Sequence, residues 1–183
     1  MGVPLSLSTL IAALRLLRHP EWTRAGDSQS RIRSDKFSTD YAEPVVVFLI
    51  GLRVNTWRRP WHVVPLLLSI PPMVQALTGA ADSGLLGYRL LFGPGPRQAM
   101  LVQYWRRAAD LHAFAHDPAG SHRAAQRRFF RHYAASGGAV GVWHEMLAVP
   151  AGAYHCMYGN MPLTGIGALR QLHPSPWAMA DNG

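Results

Sequence analysis

Cysteine is almost missing: the 183 residues include one, Cys156. A single thiol excludes an intramolecular disulfide framework and any CxxC pair for metal or redox chemistry, and it fits a reducing, cytoplasmic setting. Charge is also scarce, at 15% of residues against about a quarter in an ordinary soluble domain. Carboxylates are the scarcest part of it, with 10 Asp+Glu facing 18 Lys+Arg for a net charge of +8. Lys36 is the only lysine, the other cations all being arginine, and no lysine-rich run suggests a nucleic-acid partner. What is abundant is apolar: 49% of residues, enough to bury a core, which excludes a disordered chain or a collagen-like fibre.

Long hydrophobic runs are missing too. A membrane-spanning helix needs about 20 consecutive apolar residues. The best candidate, residues 63–77, is interrupted by Pro65, Pro71 and Pro72. Near the N-terminus, Leu7, Leu10, Ile11, Leu14 and Leu17 fall on one helical face, with Arg15 and Arg18 after the apolar run rather than before it, unlike a signal peptide. Residues 5–18 therefore read as an amphipathic helix. It packs either on the domain or a second subunit, or lies on a membrane surface.

Residues 1–42 read as this helix followed by a polar, irregular arm. From residue 43 the pattern changes. Residues 44–55 are β-branched and large apolar, the signature of a central strand. An apolar, helix-like stretch broken by prolines follows over 57–78. Residues 84–92 and 99–105 read as a strand pair joined by the Gly93-Pro94-Gly95-Pro96 turn. Residues 107–135 carry a helical period on both sides of Pro118-Ala119-Gly120, giving two helices or one broken helix ended by Gly137-Gly138. Residues 140–149 alternate as a further strand, 154–158 offer a short additional one, and the tail beyond 165 reads as loop. Strand, helix, strand, strand, helix, strand is the βαββαβ order of a ferredoxin-like α+β domain, here over residues 43–165. Its antiparallel sheet would carry helices on one face and leave the other for a partner's sheet.

The runs 46–55, 83–89, 101–106, 114–118, 140–145, 149–154 and 158–162, in this order, resemble a bacterial and fungal family of monooxygenase-like proteins. That family is related to the antibiotic-biosynthesis monooxygenases of the dimeric α+β barrel superfamily, and a fungal member acts in terpenoid biosynthesis. The resemblance covers roughly residues 30–165. It implies a homodimer whose two sheets close into a barrel, with a pocket for a hydrophobic small molecule between each sheet and its helices. The superfamily includes cofactor-free oxygenases of quinol-like substrates, haem-degrading enzymes and haem-dependent aldoxime dehydratases. The expected cofactor is thus none or haem b, and the expected activity that of a monooxygenase; the alternatives are a haem-dependent dehydratase or oxygenase, and a non-enzymatic haem- or lipid-binding module held at a membrane through residues 5–18. The sequence has no P-loop, no GxGxxG dinucleotide fingerprint and no GxSxG nucleophile elbow, so oxidation would use dioxygen directly or a bound haem.

Histidine is the residue type left to carry chemistry. His144 and Glu145 are adjacent on a strand, so only one can face the pocket. His144 is a candidate base or axial haem ligand, against the alternative of a hydrogen-bonded core histidine. Glu145 is a candidate catalytic partner, or else orients an arginine at a dimer surface. His122 starts a helix near a point where superfamily relatives often carry a pocket-facing histidine; its rival reading is a surface residue. His112 and His116 stand four apart, but no third ligand or HExxH pattern accompanies them. Tyr104 and Trp105 alternate, so one should line the pocket while the other packs beneath a helix; Phe48 and Trp143 are further walls. Arg53 and Asn160 are the polar candidates for orienting a substrate carbonyl or a propionate. Arg123, Arg127, Arg128 and Arg131 form a basic stripe, either solvated or paired with acidic groups or lipid headgroups.

Overall fold

The run VVVFLIGLRV extends because β-branched and large side chains fit a pleated surface better than a helix. It forms Val45–Val54, the centre of the domain. The computed structural model describes residues 32–38, 43–79, 82–93, 97–118, 120, 122–162, 164–168 and 173–174. In chain order these form β1 (Arg33–Ser38), β2 (Val45–Val54), α1 (Pro60–Leu67), α2 (Ile70–Gly79), β3 (Leu85–Phe92), β4 (Gln98–Trp105), α3 (Ala108–His116), α4 (His122–Ala135), β5 (Val140–Val149), β6 (Met157–Met161), a 3₁₀ turn at Gly165–Ala168, and β7 (His173–Pro174). The amphipathic segment 5–18 lies outside the described residues.

The main sheet has the order β3-β4-β2-β5, with every neighbouring pair antiparallel. Together with the two helical crossovers this is the ferredoxin-like α+β arrangement. Its register puts Phe48 opposite Gln103 on one side and Met146 on the other, and Ile50 opposite Leu101 and His144. These residues share the helix-covered face because side chains alternate along each strand.

Prolines shape the helical crossover after β2. Pro60 occupies the first turn of α1, and Pro71 and Pro72 occupy the first turn of α2, where a missing N–H removes no helical hydrogen bond. The chain therefore bends at Leu68–Ser69, where the Ser69 hydroxyl donates to the Leu66 carbonyl. Residues Pro60–Gly79 match a membrane span in length and apolar composition. The segment is nevertheless two helices, and Val63, Leu66, Val74 and Leu77 are buried in the domain.

The core lies in two clusters at opposite ends of the sheet. Leu52 and Val54 of β2 pack with Val63, Leu66, Phe129, Ala139 and Val140. Val46 packs with Leu77, Leu85, Trp105 and Leu111. Between them Phe48 and Ile50 are only half-buried, so the middle of the helix–sheet layer is not filled. At the start of α3, Asp110 accepts a hydrogen bond from Arg107 at 2.8 Å and pairs with Arg106 at 3.4 Å. The Arg107 hydrogen bond, followed by the charge of both arginines, holds the Asp110 carboxyl below the usual carboxylate range. Gly137 and Gly138 end α4 with φ of 55° and 81°, a left-handed turn that glycine adopts without steric cost.

Two features differ from the reading of the sequence. The polar arm contains β1, which pairs antiparallel with β6 and with β7 in a second, three-stranded sheet. The sequence RSDKFS has no apolar alternation to announce a strand; pairing with a distant segment extends it. The short strand after β5 falls at Met157–Met161 rather than 154–158, and the tail supplies the 3₁₀ turn and β7.

Candidate active site

The unfilled middle of the layer is a cavity of about 540 Å³. Phe48, Ile50, Leu101 and Val142 line it from the sheet, and Met73 and Phe129 from the helices. Such a space suits an apolar small molecule, oriented by a few polar groups at its wall.

His122 is the most unusual of those groups. It is the first residue of α4 and only 6% exposed, and neither ring nitrogen has a hydrogen-bond partner among the described residues. Its imidazole stacks on Phe114 at 4.3 Å with planes 27° apart. Close approach on another side depends on Gly120, where a Cβ would lie 2.5 Å from the imidazole Cε1. Leaving a buried polar group unpaired costs about 1–3 kcal/mol, so packing forces holding this ring oppose that penalty.

His144 also borders the cavity, but from the edge strand β5. It is exposed, with its ring 5.6 Å from that of Phe48. His112 and His116 border the cavity from α3, and His116 Nδ1–H donates to the His112 carbonyl at 2.9 Å. Among the described residues no three His, Cys, Asp or Glu side chains come together as a metal site.

Gln103 is a polar wall residue that sequence reading overlooked. It is 6% exposed, and its Oε1 accepts the Trp105 indole N–H at 2.9 Å. The amide nitrogen remains a donor beside the cavity. The available signal was a polar residue two places from a tryptophan, on the same face of an otherwise apolar strand. Trp105 itself is fully buried beneath α3, with its ring 5.7 Å from Phe114.

Other sequence candidates lie elsewhere. Tyr104 does not line this cavity. It sits on the opposite face of the sheet, where its hydroxyl approaches Gly165 and Tyr158 stands nearby. Burial raises the phenols of both, Tyr158 to about 12. Glu145 is on that opposite face by alternation with His144, and exposed. Arg53 is exposed there as well, opposite Gln98 and Gly141. Asn160 is exposed on β6 with φ of 53°, a conformation asparagine tolerates better than most residues. Trp143 borders the cavity through its place on β5, but its indole crosses to the other face over Gly51, where a Cβ would come within 2.5 Å of it. The structure thus gathers His122, His144 and Phe48 around one cavity and separates them from Tyr104, Glu145, Arg53 and Asn160.

A four-stranded antiparallel sheet with helices on one face and an apolar cavity between the layers defines a ferredoxin-like α+β protein. The chain belongs to the monooxygenase af470-like family, whose model matches residues 45–166. Among solved structures, an aldoxime dehydratase in complex with butyraldoxime is similar with a TM-score of 0.59 at 16% identity, over 80% of this chain and 42% of the dehydratase. The chain therefore spans less than half of that protein. A Caulobacter crescentus protein named for antibiotic biosynthesis monooxygenases gives a TM-score of 0.40 at 13% identity, over 57% of this chain and 91% of its own. No curated protein matches. At such identities the likeness to the dehydratase is one of fold.

Proposed function

We propose that this chain is an oxygenase that takes a hydrophobic small molecule into the cavity between sheet and helices, with His122 as its proton-handling residue. The observation that supports this reading is a buried imidazole with both nitrogens unpartnered at the wall of an apolar space. A substrate with an activated CH₂ group supplies its own electrons. His122 takes one proton, and the resulting carbanion passes electrons to dioxygen as a C–O bond forms. The peroxide then loses its second C–H proton, the O–O bond breaks, and a carbonyl and water leave; overall, R₂CH₂ + O₂ gives R₂C=O + H₂O. The apolar wall limits access of water to the carbanion. Gln103, through its amide nitrogen, and His144 are positioned to donate to a substrate oxygen.

The same unpartnered imidazole favours a second reading, in which the cavity holds haem b. The donor set fits, since a neutral imidazole nitrogen is an ordinary ligand for haem iron and the lining is apolar. His122 would hold the iron; His144, exposed on an edge strand, is the less enclosed of the two candidates. Bound haem would supply a Lewis-acidic, redox-active iron. In that case His144 and Gln103 would orient the substrate.

The electronic spectrum of the purified protein, with and without added haem, decides between the readings when paired with dioxygen uptake on an anthrone-type probe, which carries an activated ring CH₂. Oxygen consumption by haem-free protein is the expected result. A Soret band that persists in His144→Ala and vanishes in His122→Ala, with uptake only in the haem-loaded protein, replaces the first reading by the second.

We also propose that a second copy covers the part of the sheet's other face that the Gly165–Ala168 turn leaves open. There Trp143 and Leu147, 39% and 46% exposed, stand on the unpaired edge strand β5. Exposed apolar side chains on an open strand edge favour association. Sedimentation velocity should show a dimer that Leu147→Glu converts to monomer. A monomeric native protein, or an undisturbed Leu147→Glu dimer, removes this interface.

A further inference from the structure

The basic stripe on α4 adjoins the cavity. Arg123, Arg127 and Arg131 recur every fourth residue, so they share one face of the helix. With Gln126 and Phe130 they line a groove of about 620 Å³. Gln126 and Phe130 also line the apolar cavity, so the basic groove and the cavity meet along this helix. Phe130 is 55% exposed at the seam, where an apolar chain running from the cavity toward the groove would cover it.

The helix itself supplies no carboxylate to balance this charge. The α4 sequence HRAAQRRFFRHYAA contains neither Asp nor Glu. Among the described residues Asp110, on α3, pairs with Arg106 and Arg107 just before that helix. Like charges at four-residue spacing oppose helix formation, so the stripe is unfavourable to the helix by itself. Arg123 is partly ordered toward the groove: its Nη1 donates to Gln126 Oε1 at 3.0 Å, while its buried Nε has no partner among the described residues. Guanidinium groups present paired donors that match carboxylate or phosphate oxygens.

We infer that the natural ligand is an amphipathic anion, an apolar body in the cavity ending in a carboxylate or phosphate held by Arg123, Arg127 and Arg131. The inference rests on the reading of the cavity as a ligand chamber and adds the class of molecule it takes. Because Arg127 and Arg131 are exposed, the anion preference weakens as salt rises.

Calorimetric titration with dodecanoate, dodecyl phosphate and uncharged methyl dodecanoate tests it. At low salt one or both anions should bind at least tenfold more tightly than the ester, and whichever is tighter identifies the head group. In R123Q/R127Q/R131Q, all on the helix surface or partly exposed, the preference should fall to within about twofold while ester affinity is retained. Ala115→Trp, which fills the cavity from α3, should weaken all three ligands. Equal binding of anions and ester to the native protein overturns the anion proposal and leaves the chamber standing. Binding of none, or binding untouched by Ala115→Trp, overturns the chamber and this inference with it. Haem is a separate arm: if the triple substitution weakens haem uptake but not the preference for dodecanoate or dodecyl phosphate, the arginines serve propionates and the substrate assignment fails. If it lowers only sedimentation with phosphatidylglycerol vesicles, the stripe is a membrane-facing patch and the assignment again fails.

Discussion

Replacing His122 by phenylalanine is expected to leave the domain folded and at least as stable, and to lower turnover by about 10²–10⁴-fold, the usual contribution of a positioned proton-transfer group. The two effects separate because the native imidazole is buried without a hydrogen bond. A phenyl ring keeps the stacking surface offered by Phe114 and removes two unsatisfied polar atoms. That removal recovers up to about 1–3 kcal/mol, less the strain of fitting a larger ring beside Gly120. Thermal unfolding gives the stability and dioxygen uptake gives the turnover. Full turnover in a well-folded His122→Phe protein would make this histidine a packing residue and move the chemistry to His144.

Trp105→Ala should have the largest effect on stability, a loss of about 3–5 kcal/mol as expected for truncating a buried tryptophan. Trp105 is fully buried and joins Val46, Leu77, Leu85 and Leu111 in one of the two core clusters. Its loss leaves a cavity beneath Phe114 and strips Gln103 Oε1 of the indole donor. For a chain of this length each kcal/mol lowers Tm by about 2–4 °C, so chemical or thermal unfolding should detect the change readily. Trp105→Phe should lose less, since it preserves the ring–ring contact while still freeing Gln103. Ligand affinity should weaken in that variant too, because Gln103 lines the cavity and is held by Trp105. A Trp105→Ala protein as stable as the native one would contradict the packing described here.

Legibility in the sequence followed from how local each signal was. Residues 44–55 announced β2 by composition, and the proline positions announced a broken helical crossover; both depend on the conformational limits of the residues themselves. The polar segment at β1 gave no such signal, because Arg33–Ser38 is extended by pairing with β6 more than a hundred residues later. The same division runs through the site. Alternation on β5 showed that His144 and Glu145 must part company, yet could not say which one faces the helices; the register against Ile50 and Leu49 decided it. At His122 a helix start looked as suitable for a surface residue as for a pocket residue. The packing of α4 against α3, through Phe114, buried it.

Arg53, Asn160 and Tyr104 show the limit most clearly. Each has a side chain suited to orienting a polar group, and each is directed away from the cavity by strand register or a turn. By itself the sequence determined the βαββαβ order, the absence of P-loop and GxGxxG patterns and the choice of histidines as candidates, because these follow from residue types and short spacings. The tertiary structure alone decided which face each side chain occupies, where the core leaves a space, and that His122 stands unpartnered beside it. Those properties arise from contacts between segments far apart in the chain, whose geometry no local pattern encodes.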